Sequence, residues 1–138
     1  MKKIMGFDVG DKRIGVALSD ALLITAQGVE SYTRKSLEED LAHLVALYRE
    51  SGAEAVVCGF PKNMNGSVGP QAKKVEEFMQ AFAEKSGARV VYWDERMTTM
   101  QAERILLEAD VSRGKRRKVI DKLAAVVILQ SYLDAGGK

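Results

Sequence analysis

Two short apolar strands joined by a turn of a few residues open the chain, and so short a connection forces them to run antiparallel. The first lies within Lys3-Ile4-Met5-Gly6-Phe7-Asp8-Val9, the turn is Gly10-Asp11-Lys12, and the second runs from Arg13 to Leu18. Alternation places Met5, Phe7 and Val9 on one face and Ile4, Gly6, Asp8 and Gly10 on the other. A carboxylate, Asp8, therefore sits inside a hydrophobic strand. Its same-face neighbours Gly6 and Gly10 carry no side chains, which leaves room for a hydrated cation or a phosphate to approach the backbone. The competing reading is an aspartate that only ends a strand and opens a turn.

The rest of the chain supplies alternating strands and helices. A weaker third strand is expected from Thr25 to Tyr32. Ser36 and Glu39 form a capping box for a helix with the apolar stripe Leu37, Leu41, Leu44, Val45 and Tyr48, stopped at Ser51-Gly52. His43 lies off that stripe and is expected to be solvated. Ala55 to Phe60 is a continuous apolar run, the pattern of a strand buried on both faces in the parallel part of a sheet. It leads into a loop, Gly59 to Pro70, whose glycines, amides and Lys62 suit a phosphate, or merely a connection. Pro70 opens a helix with the stripe Ala72, Val75, Phe78, Met79 and Phe82, ending at Ser86-Gly87. Arg89 to Trp93 is a further strand and runs into Asp94-Glu95-Arg96. Thr98 and Gln101 offer a second capping box for a helix reaching about Ala109.

The only dense charge run is Arg113-Gly114-Lys115-Arg116-Arg117-Lys118. It reads as a solvated loop or as a surface for a phosphate backbone, which lysine and arginine bind without reading sequence. The last helix is expected from Val119 to about Ala135, apolar around much of its circumference and so a core helix. Asp121 stands three, four and seven positions before Ala124, Ala125 and Ile128, on one of its apolar faces. That places an acid toward the sheet, where a lone buried carboxylate needs a cation. The alternative is a first-turn acid serving the helix dipole.

Length, charge and cysteine content bound what such a chain can be. Its 138 residues fit one domain, 1–138, large enough to bury a core without disulfides. The formal charge of +2 excludes a polycation that binds nucleic acid indiscriminately, so any such binding needs a local patch. The one cysteine, Cys58, lies in an apolar run and reads as a small buried hydrophobe in a reducing compartment. With no membrane-spanning stretch and no signal-peptide core, a cytoplasmic protein without membrane contact is expected.

Three acids far apart in sequence, Asp8, Asp94 or Glu95, and Asp121, can meet in a sheet-based fold of this order. Clustered carboxylates repel one another, and without a cation one of them would protonate. Oxygen ligands with room for water select Mg²⁺ or Mn²⁺ over zinc. Two such ions about 4 Å apart can activate a water and stabilise the leaving oxygen of a phosphodiester, with no histidine or cysteine nucleophile.

Taken together, Gly6-Phe7-Asp8-Val9-Gly10 through Asp20, Gly59-Phe60-Pro61 with Asn65-Gly66-Ser67, Asp94-Glu95-Arg96-Met97-Thr98-Thr99, and Asp121-Lys122-Leu123-Ala124-Ala125 with Ile128-Leu129-Gln130 resemble the YqgF/RuvX family. The resemblance covers essentially the whole chain, with the motifs in the family's order. It implies an RNase H-like α/β fold: a mixed five-stranded sheet, three antiparallel strands followed by two parallel ones, with helices on both faces. It also implies that Asp8, Glu95 and Asp121 are the catalytic, metal-binding acids, with Asp94 and Asp11 as candidates for a fourth. Met97 stands where the family more commonly has leucine, a volume-conserving change. Lys12, Arg13, Lys62, Asn63, Arg96, Arg113, Lys115, Arg116, Arg117 and Lys118 are the expected nucleic-acid contacts. The function so implied is a metal-dependent nuclease of structured RNA, maturing the 5′ end of pre-16S rRNA. Alternatives are a resolvase of branched DNA acting as a homodimer, a non-catalytic RNA-binding assembly factor, and an ATP-binding module related to the sugar kinases.

Overall fold

The computed structural model of the chain describes residues 3–61, 69–94 and 113–136, and for 113–122 the backbone only. Five strands form one sheet, β1 Lys3–Val9, β2 Arg13–Ser19, β3 Ala26–Thr33, β4 Ala53–Phe60 and β5 Arg89–Asp94, in the spatial order β3-β2-β1-β4-β5. The β1–β2 and β2–β3 ladders are antiparallel; the β1–β4 and β4–β5 ladders are parallel. This is the mixed sheet that the family resemblance implies. The helix expected between Thr98 and Ala109 lies outside the described residues.

The two faces of β1 explain how the helices divide. Met5, Phe7 and Val9 join a cluster with Leu41 and Leu44 of α1, Leu37–Ser51, and with Val75, Met79 and Phe82 of α2, Pro70–Ser86. Ile4, on the other face, joins a separate cluster with Ala125, Ile128, Leu129 and Tyr132 of α3, Arg113–Asp134. Alternation in one strand thus builds two cores. Val56 and Cys58 of β4 serve the first cluster and Val57 the second, as a strand buried on both sides requires.

Helix ends follow their chemistry. Ser36 Oγ accepts the Glu39 N–H at 3.1 Å, capping α1. Both α1 and α2 end in Ser-Gly, with Gly52 at φ 76° and Gly87 at φ 75°, a left-handed conformation that glycine adopts without strain. Ser51 and Ser86 repeat one device, each hydroxyl donating back to the carbonyl of Tyr48 or Phe82 and accepting the N–H of Ala53 or Ala88.

Four expectations need correction, the fourth at Gly6 below. Leu37 is 55 % exposed, and the apolar stripe reaches the core only from Leu41. His43 is not simply solvated: its Nε2 lies 2.6 Å from Glu30 Oε1 and its ring stacks on Tyr32. The last helix begins at Arg113, six residues before Val119, so the basic run is helical. Lysine and arginine are good helix formers, and nothing in the run stops a helix except one glycine.

Gly6 was expected to leave space for a ligand. Instead, helix α3 fills that space: a Cβ on Gly6 would stand 2.9 Å from Leu129 Cβ and 3.2 Å from the Ala125 carbonyl oxygen. Gly6→Ala should therefore push helix and sheet apart and cost about 1–3 kcal/mol, several degrees in Tm. An unchanged melting temperature would contradict the tight approach.

Candidate active site

The approach of α3 at Gly6 sets the geometry around Asp8. Gln130 accepts the Ala26 N–H through Oε1 at 2.9 Å, and Ala26 pairs with Ser19, whose Oγ accepts the Ile4 N–H at 2.8 Å. The helix therefore lies over β3 at Gln130 and over Gly6 of β1 between Ala125 and Leu129. Asp121 is one helical turn before Ala125. Ala124, Ala125 and Ile128, the residues whose spacing placed Asp121 on the sheet side, are all buried.

Asp8 is half-buried near the end of β1. Across the ladders it pairs with Gly15 of β2, and Gly15 pairs with Ser31 of β3. On the other side, Phe7 pairs with Cys58, so the next step of that register sets Gly59 of β4 beside Asp8, and Gly59 pairs with Trp93 of β5. Asp8 thus has glycine on both neighbouring strands. Ser31 Oγ, two strands away, is buried with no hydrogen-bond partner among the described residues. A carboxylate beside bare backbone, with an orphaned hydroxyl on the same row, suits a hydrated hard cation or a phosphate oxygen better than a packed side chain.

The other predicted site residues divide plainly. Asp121 is in α3, described by its backbone alone, as are Arg113, Lys115, Arg116, Arg117 and Lys118. Arg117 and Lys118 precede Asp121 by one helical turn, so the helix ties the basic run rigidly to that acid. Glu95, Arg96, Lys62 and Asn63 lie outside the described residues. Asp94 closes β5, and Lys12 is exposed in the β1–β2 turn with Arg13 at the start of β2. Asp11, a candidate fourth acid, is exposed and 3.8 Å from Lys74 Nζ. Asp20, within the quoted N-terminal motif, has a structural role: its Oδ1 accepts the Ile24 and Thr25 N–H groups, which holds its carboxyl below the ordinary value.

Sequence reasoning missed Asp40 and Arg34. Asp40 is 1 % exposed and accepts hydrogen bonds from the Tyr32 hydroxyl, Arg34 Nε and the Lys35 N–H, at 3.0, 2.9 and 2.9 Å. Arg34 Nη1 donates to the Gly10 carbonyl at 2.9 Å, and its own N–H donates to the Lys12 carbonyl. The turn after Asp8 is thus pinned from β3. Burial alone would raise the Asp40 carboxyl, but the Lys35 N–H, Arg34 and Tyr32 outweigh it and hold it below 3.8.

The sheet order and the helices on both its faces define an RNase H-like domain. Solved structures share it: Thermus thermophilus RuvC in complex with Holliday junction substrate matches with a TM-score of 0.64 and 16 % identity, over 99 % of this chain and 97 % of that one. Fowlpox virus resolvase with junction DNA matches with a TM-score of 0.59 and 12 % identity, over 99 % of each. The RuvX family model, described as Holliday junction resolvase, matches residues 2–135. A protein of Desulforamulus reducens is 54 % identical over 99 % of both chains, and one of Symbiobacterium thermophilum is 59 % identical over 96 % of this chain and 92 % of that one. Both are named as candidate pre-16S rRNA nucleases. The chain belongs to the RuvX (YqgF) family, a family of nucleases.

Proposed function

We propose that the chain is a divalent-metal-dependent nuclease of structured RNA, acting in 5′-end maturation of pre-16S rRNA, with Asp8, Glu95 and Asp121 as its catalytic acids. The observation that supports this reading is the close packing of α3 on β1 at Gly6, which puts the helix that carries Asp121 on the face of the strand that carries Asp8. The donor set is carboxylate only, which fits Mg²⁺ or Mn²⁺. Such an ion supplies Lewis-acid stabilisation of the phosphoryl oxygens and a more acidic bound water. The three acids hold it, and Lys12 and Arg13 in the turn beyond Asp8 hold the substrate backbone. Arg113, Lys115, Arg116, Arg117 and Lys118, on the first turns of α3, extend that contact, with Lys62, Asn63 and Arg96 from the adjoining segments.

The names of the close relatives favour RNA. The description of the matching family model favours the second reading, a resolvase of four-way DNA junctions acting as a symmetric dimer. Parallel Mg²⁺ and Mn²⁺ titrations against precursor rRNA and junction DNA separate them. Cleavage of the RNA, lost in Asp121→Asn, is the expected result; junction cleavage by a dimer with the RNA untouched would establish the second reading. No cleavage of either substrate at any metal concentration would favour a non-catalytic assembly factor.

A further inference from the structure

On the side of the sheet away from α3, the β1–β2 turn, the β3–α1 connection and the first half of α2 enclose a cleft of about 750 Å³. Leaving aside Arg13, which strand alternation turns to the Asp8 face with Gly15, its walls carry four cations, Lys12, Arg34, Lys35 and Lys74, against three acids, Asp11, Asp40 and Glu77. The buried Asp40–Arg34 pair cancels, which leaves Lys12, Lys35 and Lys74 against Asp11 and Glu77. Asp40 is buried and committed to Arg34, and Asp11 faces Lys74 only at 3.8 Å with both side chains more than 60 % exposed, a pair of little energetic weight. The cations stand on three separate elements, so the frame fixes their spacing. At the back of the cleft the Arg34 guanidinium lies over the Phe78 ring, 4.8 Å from its centre, with Nε and Nη1 tied to Asp40 and to the Gly10 carbonyl. Its remaining amino group makes no hydrogen bond among the described residues.

We propose that this cleft binds a second stretch of phosphodiester backbone from the same folded nucleic acid, on the opposite side of the sheet from Asp8. The inference rests on the nuclease reading and extends it. The turn between β1 and β2 is the hinge of the argument, since Asp8 precedes it on one face and Lys12 and Arg34 meet at it on the other. A strand passing Asp8 and bending round this turn enters the cleft, so the protein selects substrates with two backbone segments rather than a single extended strand.

The test is the binding of a labelled RNA hairpin with a single-stranded flank, without divalent metal, by fluorescence anisotropy between about 50 and 200 mM salt. The proteins compared are the unaltered chain, the double variant Lys35→Gln, Lys74→Gln, and the charge-keeping double variant Lys35→Arg, Lys74→Arg. Loss of two phosphate contacts should weaken binding about tenfold and make the slope of log K on log salt shallower by about 1.5. The arginine variant should keep both properties, and thermal melts should show all three folded, since both lysines are exposed. Unchanged affinity and slope in the glutamine variant, with the unaltered protein binding tightly, would overturn the cleft proposal alone. Tight competition by inorganic phosphate or a mononucleotide would assign the cleft to a small ligand and overturn it also. An unaltered protein that binds neither RNA nor junction DNA would overturn the nuclease reading first, and the cleft with it.

Discussion

Asp8→Asn should lower kcat/KM for cleavage at least about 10³-fold, roughly 4 kcal/mol of transition-state stabilisation, while leaving the fold intact. The substitution keeps the shape of the side chain and removes its charge. The β1–β2 and β1–β4 ladders hold the strand by backbone bonds. On the proposed clustering of Asp8 with Glu95 and Asp121, removing one of the charges should leave the metal-free protein as stable as before or slightly more so. The unaltered protein should gain stability with Mn²⁺, as any ligand of the native state confers, and the variant should gain little. Thermal melts with and without Mn²⁺, beside single-turnover cleavage, give both readouts. Full cleavage by Asp8→Asn would remove the carboxylate from the chemistry.

Asp40→Ala should cost about 3 kcal/mol of stability. Breaking a buried pair leaves its partner uncompensated, and here Tyr32, Arg34 and the Lys35 N–H all lose their acceptor together. Because the folded-state value of Asp40 lies below its ordinary 3.8, the native state binds fewer protons than the unfolded chain in that range. Its stabilisation is thus complete above the ordinary carboxylate value and is lost as pH falls through the lowered one. Urea denaturation at pH 7 should show the full gap between the unaltered chain and Asp40→Ala, and denaturation near pH 3 a smaller one. A gap that is constant, or that widens on acidification, would contradict the ionised pair.

Sequence alone revealed the parts of this fold that rest on local periodicity. The alternation of β1 separates two cores, the Ser36 capping box starts α1, and the Ser-Gly pairs stop α1 and α2, each within one or two residues of expectation. Features set by distant partners were not legible. Gly6 meets a helix more than a hundred residues away, so its missing side chain looked like space for a ligand. Asp40 falls in the first turn of a helix, where an acid ordinarily faces solvent and the dipole explains it; only the folded chain brings Arg34 and Tyr32 to it. The start of α3 was not legible because a dense charge run reads equally as loop or as helix.

For the site, the sequence singled out Asp8 and the face of α3 that carries Asp121, both by the oddity of an acid among apolar or glycine neighbours. The most direct test of their convergence is anomalous diffraction at the manganese edge from crystals soaked in Mn²⁺. A peak within bonding distance of carboxylate oxygens from Asp8 and Asp121 is the predicted result. A map in which those two carboxylates share no ion, or in which Mn²⁺ sits only on other residues, would contradict the account.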